Sequence, residues 1–257
     1  MAPDARAATP GEPARALERP QPTDPAIPLE DGPALEACRQ IALEVRAQLE
    51  ARRASSLAVV SAVRDEGKTT TSCNLALALA SLAPGREVAL LDLDLRRPSI
   101  AKVLGLQVGH GLEDVLADEV DLDSARVQFD EPPLDVFPTL HAQRAAHQAL
   151  TRSRLARLLD ELERRYSIVV VDTPPTLLVP DSRLILERVA VCLPVARAGI
   201  SRVRAFRQML EVLPQGQVLS TVLNGVKPDP QYYQGYDYGS PQDGGSGGGK
   251  RGKRGRA

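Results

Sequence analysis

Six short apolar runs punctuate the chain, at 57–60, 87–91, 134–136, 168–171, 190–195 and 218–223, each dominated by Val, Ile, Leu or Ala. They lack the polar alternation of a half-exposed strand, so they predict strands buried on both faces. Between them lie stretches at 70–82, 153–165 and 202–213 in which apolar residues recur at three- and four-residue spacing. That period belongs to helices with one buried side. Alternation of such strands and helices predicts an α/β fold with a mostly parallel central sheet and helices on both faces. In that architecture ligands lie beyond the carboxyl ends of the strands. One more helix is expected over 34–53, with Leu35, Ile41, Val45 and Leu49 on one side and charges opposite. No internal repeat is seen.

Composition changes the picture mainly at the ends. Eight of the 21 prolines fall in 1–33 among few large apolar residues, and such a segment buries too little surface to offset its ordering entropy. Nine of the 19 glycines fall in 235–255, and Lys250, Arg251, Lys253, Arg254 and Arg256 crowd the last eight positions. The expected organisation is a disordered N-terminal segment over 1–33, one domain over 34–228 and a flexible tail over 229–257. The basic tip has enough charge for weak attraction to anionic lipid, but a solubilising role is the simpler expectation. With 32 basic and 33 acidic residues among 257 the net charge is -1, so nothing global calls for a nucleic acid partner. No apolar run approaches the roughly 18 residues of a spanning helix, and a cytoplasmic chain is expected. Cys38, Cys73 and Cys192 are too scattered for a disulfide framework or a zinc site. His110, His141 and His147 have no metal-ligand spacing.

The chemistry gathers at three predicted strand ends. After the first strand comes Gly67-Lys68-Thr69, where the chain turns into a helix. Backbone amides of Glu66, Gly67, Lys68, Thr69 and Thr70 at a helix start can hold phosphate oxygens, Lys68 can reach the outer phosphates, and the Thr69 hydroxyl can bind Mg²⁺. The usual first glycine of a phosphate loop is here Ala62. The second strand runs into Asp92-Leu93-Asp94, and the run at 168–171 ends in Asp172, an acid of Walker-B type. Three acids and a Lys-Thr pair at strand ends predict a nucleotide site of the phosphate-loop NTPase type, using ATP and Mg²⁺.

These residues make the chain resemble the bacterial tyrosine autokinases of capsule and exopolysaccharide production. The likeness runs over about 36–238 and rests on the loop, on Asp92 to Pro98, on Gly111 to Leu116, on Asp172 to Pro175, on Val195 to Gly199 and on Val222 to Val226. It implies catalytic roles for Lys68, Asp92 and Asp94, metal contacts from Thr69, Asp92 and Asp172, and a nucleotide contact from Asn224. Four of the five tyrosines, Tyr232, Tyr233, Tyr236 and Tyr238, lie within seven residues at the head of the tail and read as phosphoacceptors. The resemblance further implies a homo-oligomer, a membrane-embedded polysaccharide co-polymerase whose cytoplasmic tail activates the kinase, a tyrosine phosphatase, and peripheral attachment to the inner membrane through the partner.

Three departures qualify this. Arg64-Asp65 replaces the family's Pro-Gly, and an aspartate beside triphosphate predicts weaker ATP binding. Ala42 replaces the second arginine of the oligomerisation helix that begins at Glu36 and Arg39. The segment 140–146 replaces an Asn-Pro-rich one. Two alternatives follow: a weakly nucleotide-binding regulator of polysaccharide synthesis without catalysis, and a partitioning ATPase of the Par or Min type. The latter has a signature lysine five residues before the loop lysine, where this chain has Val63.

Overall fold

The computed structural model describes residue 27 and residues 33–83, 85 and 87–226. The Pro-rich segment other than Ile27, the tyrosine cluster and the Gly-rich tail lie outside the described residues. In chain order the elements are α1 (Pro33–Arg52), β1 (Ser56–Val60), α2 (Lys68–Leu82), β2 (Val88–Asp92), α3 (Ile100–Val103), α4 (Leu112–Leu116), a 3₁₀ turn (Leu122–Ala125), β3 (Val127–Asp130) and β4 (Pro133–Phe137). Then follow α5 (Ala146–Ala149), α6 (Arg152–Arg165), β5 (Ile168–Asp172), α7 (Asp181–Leu186), β6 (Val191–Arg197), α8 (Val203–Val212) and β7 (Val222–Asn224).

The strands form one seven-stranded sheet in the order β3-β4-β2-β5-β1-β6-β7. All neighbours are parallel except the β3–β4 pair. Every residue of β1, β2 and β5 is buried, because successive side chains enter different layers. Leu57, Val59, Leu90 and Val170 join the face covered by α1 and α2, whereas Ala58, Val60, Leu91 and Val171 join the face covered by α6, α7 and α8. The α2 helix is itself overlain by α1, and its buried Ala76, Ala78 and Ala80 keep that stack thin. Ile27 is buried in the same cluster as Val45 and Leu49 of α1.

Two edges differ from expectation. The apolar stretch at 218–223 yields a strand only over Val222–Asn224, with Val218 making an isolated bridge to Cys192. It sits on the sheet edge, where one row of backbone partners is missing. At the other edge, the 127–130 strand escaped the sequence reading, because its alternating Val127 and Phe129 are separated by polar Gln128. It pairs antiparallel with β4 and covers the outer edge of that strand. Cys38, Cys73 and Cys192 are free thiols.

Candidate active site

The phosphate loop is shaped by its backbone. Gly67 caps α2 at φ 89, where an added Cβ would stand 1.8 Å from Asn224 Nδ2. Asp65 holds φ 64, the left-handed value that glycine takes without strain and aspartate tolerates. Glu66 is almost fully buried, and its side chain turns away from the crevice: the Val63 amide donates to Oε2 at 2.8 Å and the Ser201 hydroxyl donates to Oε1. Any phosphate contact from Glu66 is therefore left to its backbone. Arg197 donates from its guanidinium to the Asp65 carbonyl at 3.0 Å, and Asn224 Nδ2 donates to the Glu66 carbonyl at 3.3 Å. The end of β6, the β6–α8 turn and β7 thus buttress the loop. Sequence reading placed Asn224 on the nucleotide; here its amide props the loop.

Pairing of β2 with β5 sets Asp92 opposite Asp172. Both are fully buried. Asp92 accepts from the amides of Ser99 at 2.9 Å, Ile100 at 3.0 Å and Asp94 at 3.2 Å, so it anchors the turn into α3. Asp172 accepts from the hydroxyls of Thr69 at 2.6 Å and Ser72 at 3.0 Å. Ser99 Oγ lies 3.0 Å from Thr69 Oγ1. Asp94 reaches the crevice wall, and the Arg97 amide donates to its Oδ1 at 3.1 Å.

Burial governs the charges. It pushes Asp92 well above the ordinary carboxylate range, and the Asp172 carboxylate adds to the rise. Asp172 is raised by burial too, with Lys68 and the Thr69 and Ser72 hydroxyls opposing. Asp94 is pushed up to about 6, first by burial, against the pull of Lys68. Two carboxylates side by side in a low dielectric resist joint ionisation, so the site favours a cation.

One open crevice with a volume of about 560 Å³ gathers Gly67, Lys68, Thr69, Thr70 and Asp94. Arg64, Arg96, Arg97, Lys102 and Arg197 also line it, which makes it strongly basic. Arg96 is oriented by an ion pair with buried Asp181. None of these arginines was singled out from the sequence for a role, although Arg96 and Arg97 stand in the run 92–98 and Arg197 in 195–199. Hard oxygens from Thr69, Asp172 and Asp92 fit Mg²⁺, which takes few protein ligands and completes its shell with water and phosphate. No cluster of three or more His, Cys, Asp or Glu that could hold a metal ion occurs among the described residues.

Residues 60–214 match the AAA domain family. The chain belongs to this family. As an AAA domain it is 29% identical over 195 residues to the tyrosine-protein kinase Etk of Escherichia coli strain K12, covering 75% of this chain. The chain spans 27% of the length of Etk. The tyrosine-protein kinase YwqD of Bacillus subtilis strain 168 is 28% identical over 187 residues, 72% of this chain and 78% of YwqD. The solved kinase domain of Escherichia coli Etk superposes with a TM-score of 0.73 at 28% identity, covering 80% of each chain. The resemblance to bacterial tyrosine kinases is thereby borne out. MinD of Pyrococcus horikoshii complexed with Mg-ADP has a TM-score of 0.56 at 24% identity over 70% of this chain and 76% of its own, a likeness of fold alone. Where a partitioning ATPase carries its signature lysine, this AAA domain has Val63 packed against the apolar cluster beneath the loop.

Proposed function

We propose that this AAA domain is an ATP-dependent protein-tyrosine autokinase that phosphorylates Tyr232, Tyr233, Tyr236 and Tyr238, between subunits of a homo-oligomer, and so regulates exopolysaccharide or capsule polymerisation and export. The observation that carries the reading is the meeting of Lys68, Thr69 and Asp94 in one basic crevice, with buried Asp172 bonded to the Thr69 hydroxyl beneath it. Amides at the start of α2 and the Lys68 ammonium bind the triphosphate. Thr69, Asp172 and Asp92 would hold Mg²⁺, which when bound neutralises charge developing on the phosphates. A phenol has a pKa of about 10 and needs a base to act near neutral pH. Asp94, with its proton affinity raised by burial, takes the phenolic proton. The phenol oxygen then bonds to the γ-phosphorus, the bond from that phosphorus to the bridging oxygen breaks, and ADP leaves.

The relatives' names as tyrosine-protein kinases support this assignment. No helix among the described residues is long and apolar enough to cross a membrane, and on this reading the domain is held at the inner membrane by a partner. That partner is a polysaccharide co-polymerase with an activating cytoplasmic tail, and a tyrosine phosphatase reverses the modification. A second reading draws on one observation: Asp65 lines the crevice where glycine would leave it uncharged. On that reading the chain is a regulator that binds nucleotide weakly and transfers nothing.

Intact-mass analysis after incubation with Mg-ATP decides between them. Stepwise gain of phosphate in the wild type, absent from Lys68→Met and from a variant with the four tail tyrosines changed to Phe, is expected. An unlabelled wild type, with an adaptor tail supplied, would sink the kinase reading and favour the regulator.

A further inference from the structure

Behind the acidic segment sits a carboxylate that phosphoryl transfer does not use. Glu113 on α4 is 6% exposed, and its Oε1 accepts from the His141 amide at 2.7 Å. The Leu140 amide is shared between Oε1 and Oε2, each at 3.1 Å. Gly111 makes room for this clamp, since a Cβ there would lie 2.1 Å from Glu113 Oε2 and 2.9 Å from the Leu140 nitrogen. The Leu112 amide adds a bond to the Pro138 carbonyl at 2.8 Å. Helix α4 therefore grips the segment that leaves β4.

That segment in turn grips the acidic strand end on both sides of Asp94. Thr139, 1% exposed, donates from Oγ1 to the Asp92 carbonyl at 2.7 Å. The Gln143 amide donates to the Leu95 carbonyl at 2.7 Å. Asp94 lies between these two tethered carbonyls, so the gripped segment links α4 to it through the bonds just described. A buried carboxylate bonded to two amides is costly to remove, because the amides are left without partners.

We infer that Glu113 is a positioning residue for the reaction: through residues 138–143 it fixes the backbone of 92–95 so that the Asp94 carboxylate stands at the crevice wall. The inference rests on the kinase reading for what Asp94 does there, and on geometry alone for how it is held. Residues 111–116 had a place in the family likeness but no task; this gives Gly111 and Glu113 one.

The test uses the full chain with Glu113→Leu, Glu113→Gln and Thr139→Val, read in two ways. Phosphate incorporation under saturating Mg-ATP is expected to fall about tenfold or more in Glu113→Leu at unchanged nucleotide KM, since misplacement of a reacting group acts on kcat. Glu113→Gln, which keeps one acceptor oxygen, restores part of the rate. Thr139→Val lowers kcat by the same route, and the double variant Glu113→Leu with Thr139→Val loses less than the two losses combined. Hydrogen exchange of peptides over 92–99 rises in Glu113→Leu while the 61–71 peptide keeps its protection. A kcat equal to wild type, a KM that rises in step with the loss, or exchange rising equally in both peptides would each overturn the inference. Exchange needs no catalysis, so an inactive wild type would defeat the kinase reading while exchange still decides the clamp.

Discussion

The phosphate loop and the acidic segment line the same crevice, yet one is made of backbone and the other of side chains. In the loop, left-handed turns at Asp65 and Gly67 aim the amides, and Glu66, Arg197 and Asn224 hold those turns in place. Across from it, Asp92, Asp94 and Asp172 work through carboxylates whose protonation burial has raised. Amides do not titrate, so the loop fails only when its shape fails. The acids fail with pH as well as with shape.

The sharpest break is at Gly67. Gly67→Ala puts a Cβ 1.8 Å from Asn224 Nδ2 at φ 89, a strain on the order of 3 kcal/mol that predicts a loss of Mg-ATP affinity of about 100-fold by calorimetry. Binding as tight as wild type would show that the loop is not rigid. Asp94→Asn should do the opposite kind of damage: phosphate incorporation down by about 100-fold or more, with nucleotide affinity shifted by less than about threefold. If affinity falls as far as rate, Asp94 serves the nucleotide and not the acceptor.

The pH dependence separates the regions next. Asp94 must be ionised to act as base, so the rate should fall as pH drops through about 6. Stability of the metal-free protein runs the other way. The folded protein holds the Asp94 proton more tightly than the unfolded chain, from the ordinary 3.8 up to about 6, so unfolding free energy declines as pH rises through that window. The loss is about 3 kcal/mol at neutral pH, and burial of Asp92 and Asp172 acts in the same direction. Denaturant unfolding at pH 4.5 and 7.5 checks the sign, and Asp94→Asn should flatten the dependence. The smallest effect is expected from Asp65→Gly. Relief of the left-handed aspartate at φ 64 should stabilise by about 1 kcal/mol, and removal of its charge should tighten nucleotide binding by a few fold. No gain in either would mean that Arg197 already compensates for the departure.

Much of this contrast was legible in the chain. Apolar runs without alternation marked β1, β2 and β5, and Lys68, Asp92 and Asp172 could be placed at strand ends from the residues that follow those runs. The replacement of glycine by Asp65 is visible in the chain, and the structure adds that the position takes the left-handed φ 64. The task of the Glu66 side chain is not legible in the chain, because only the fold brings Ser201 beneath it. The arginines of the crevice wall were passed over, since arginine on a surface loop carries no local mark of a ligand site.

Sequence alone therefore determined the alternation of the buried strands with the longer helices, the loop and the three acids, since each depends on neighbours a few residues away, on unbroken apolar runs and on the helical period of 3.6. Tertiary structure decided that β5 inserts between β2 and β1, which sets Asp172 against Asp92 and under Thr69. It also decided which residues brace the site, from Asn224 and Ser201 at the loop to Glu113 behind the acids. Those contacts join residues 27 to 158 positions apart, and local propensity carries no information about pairings that only the closed sheet creates.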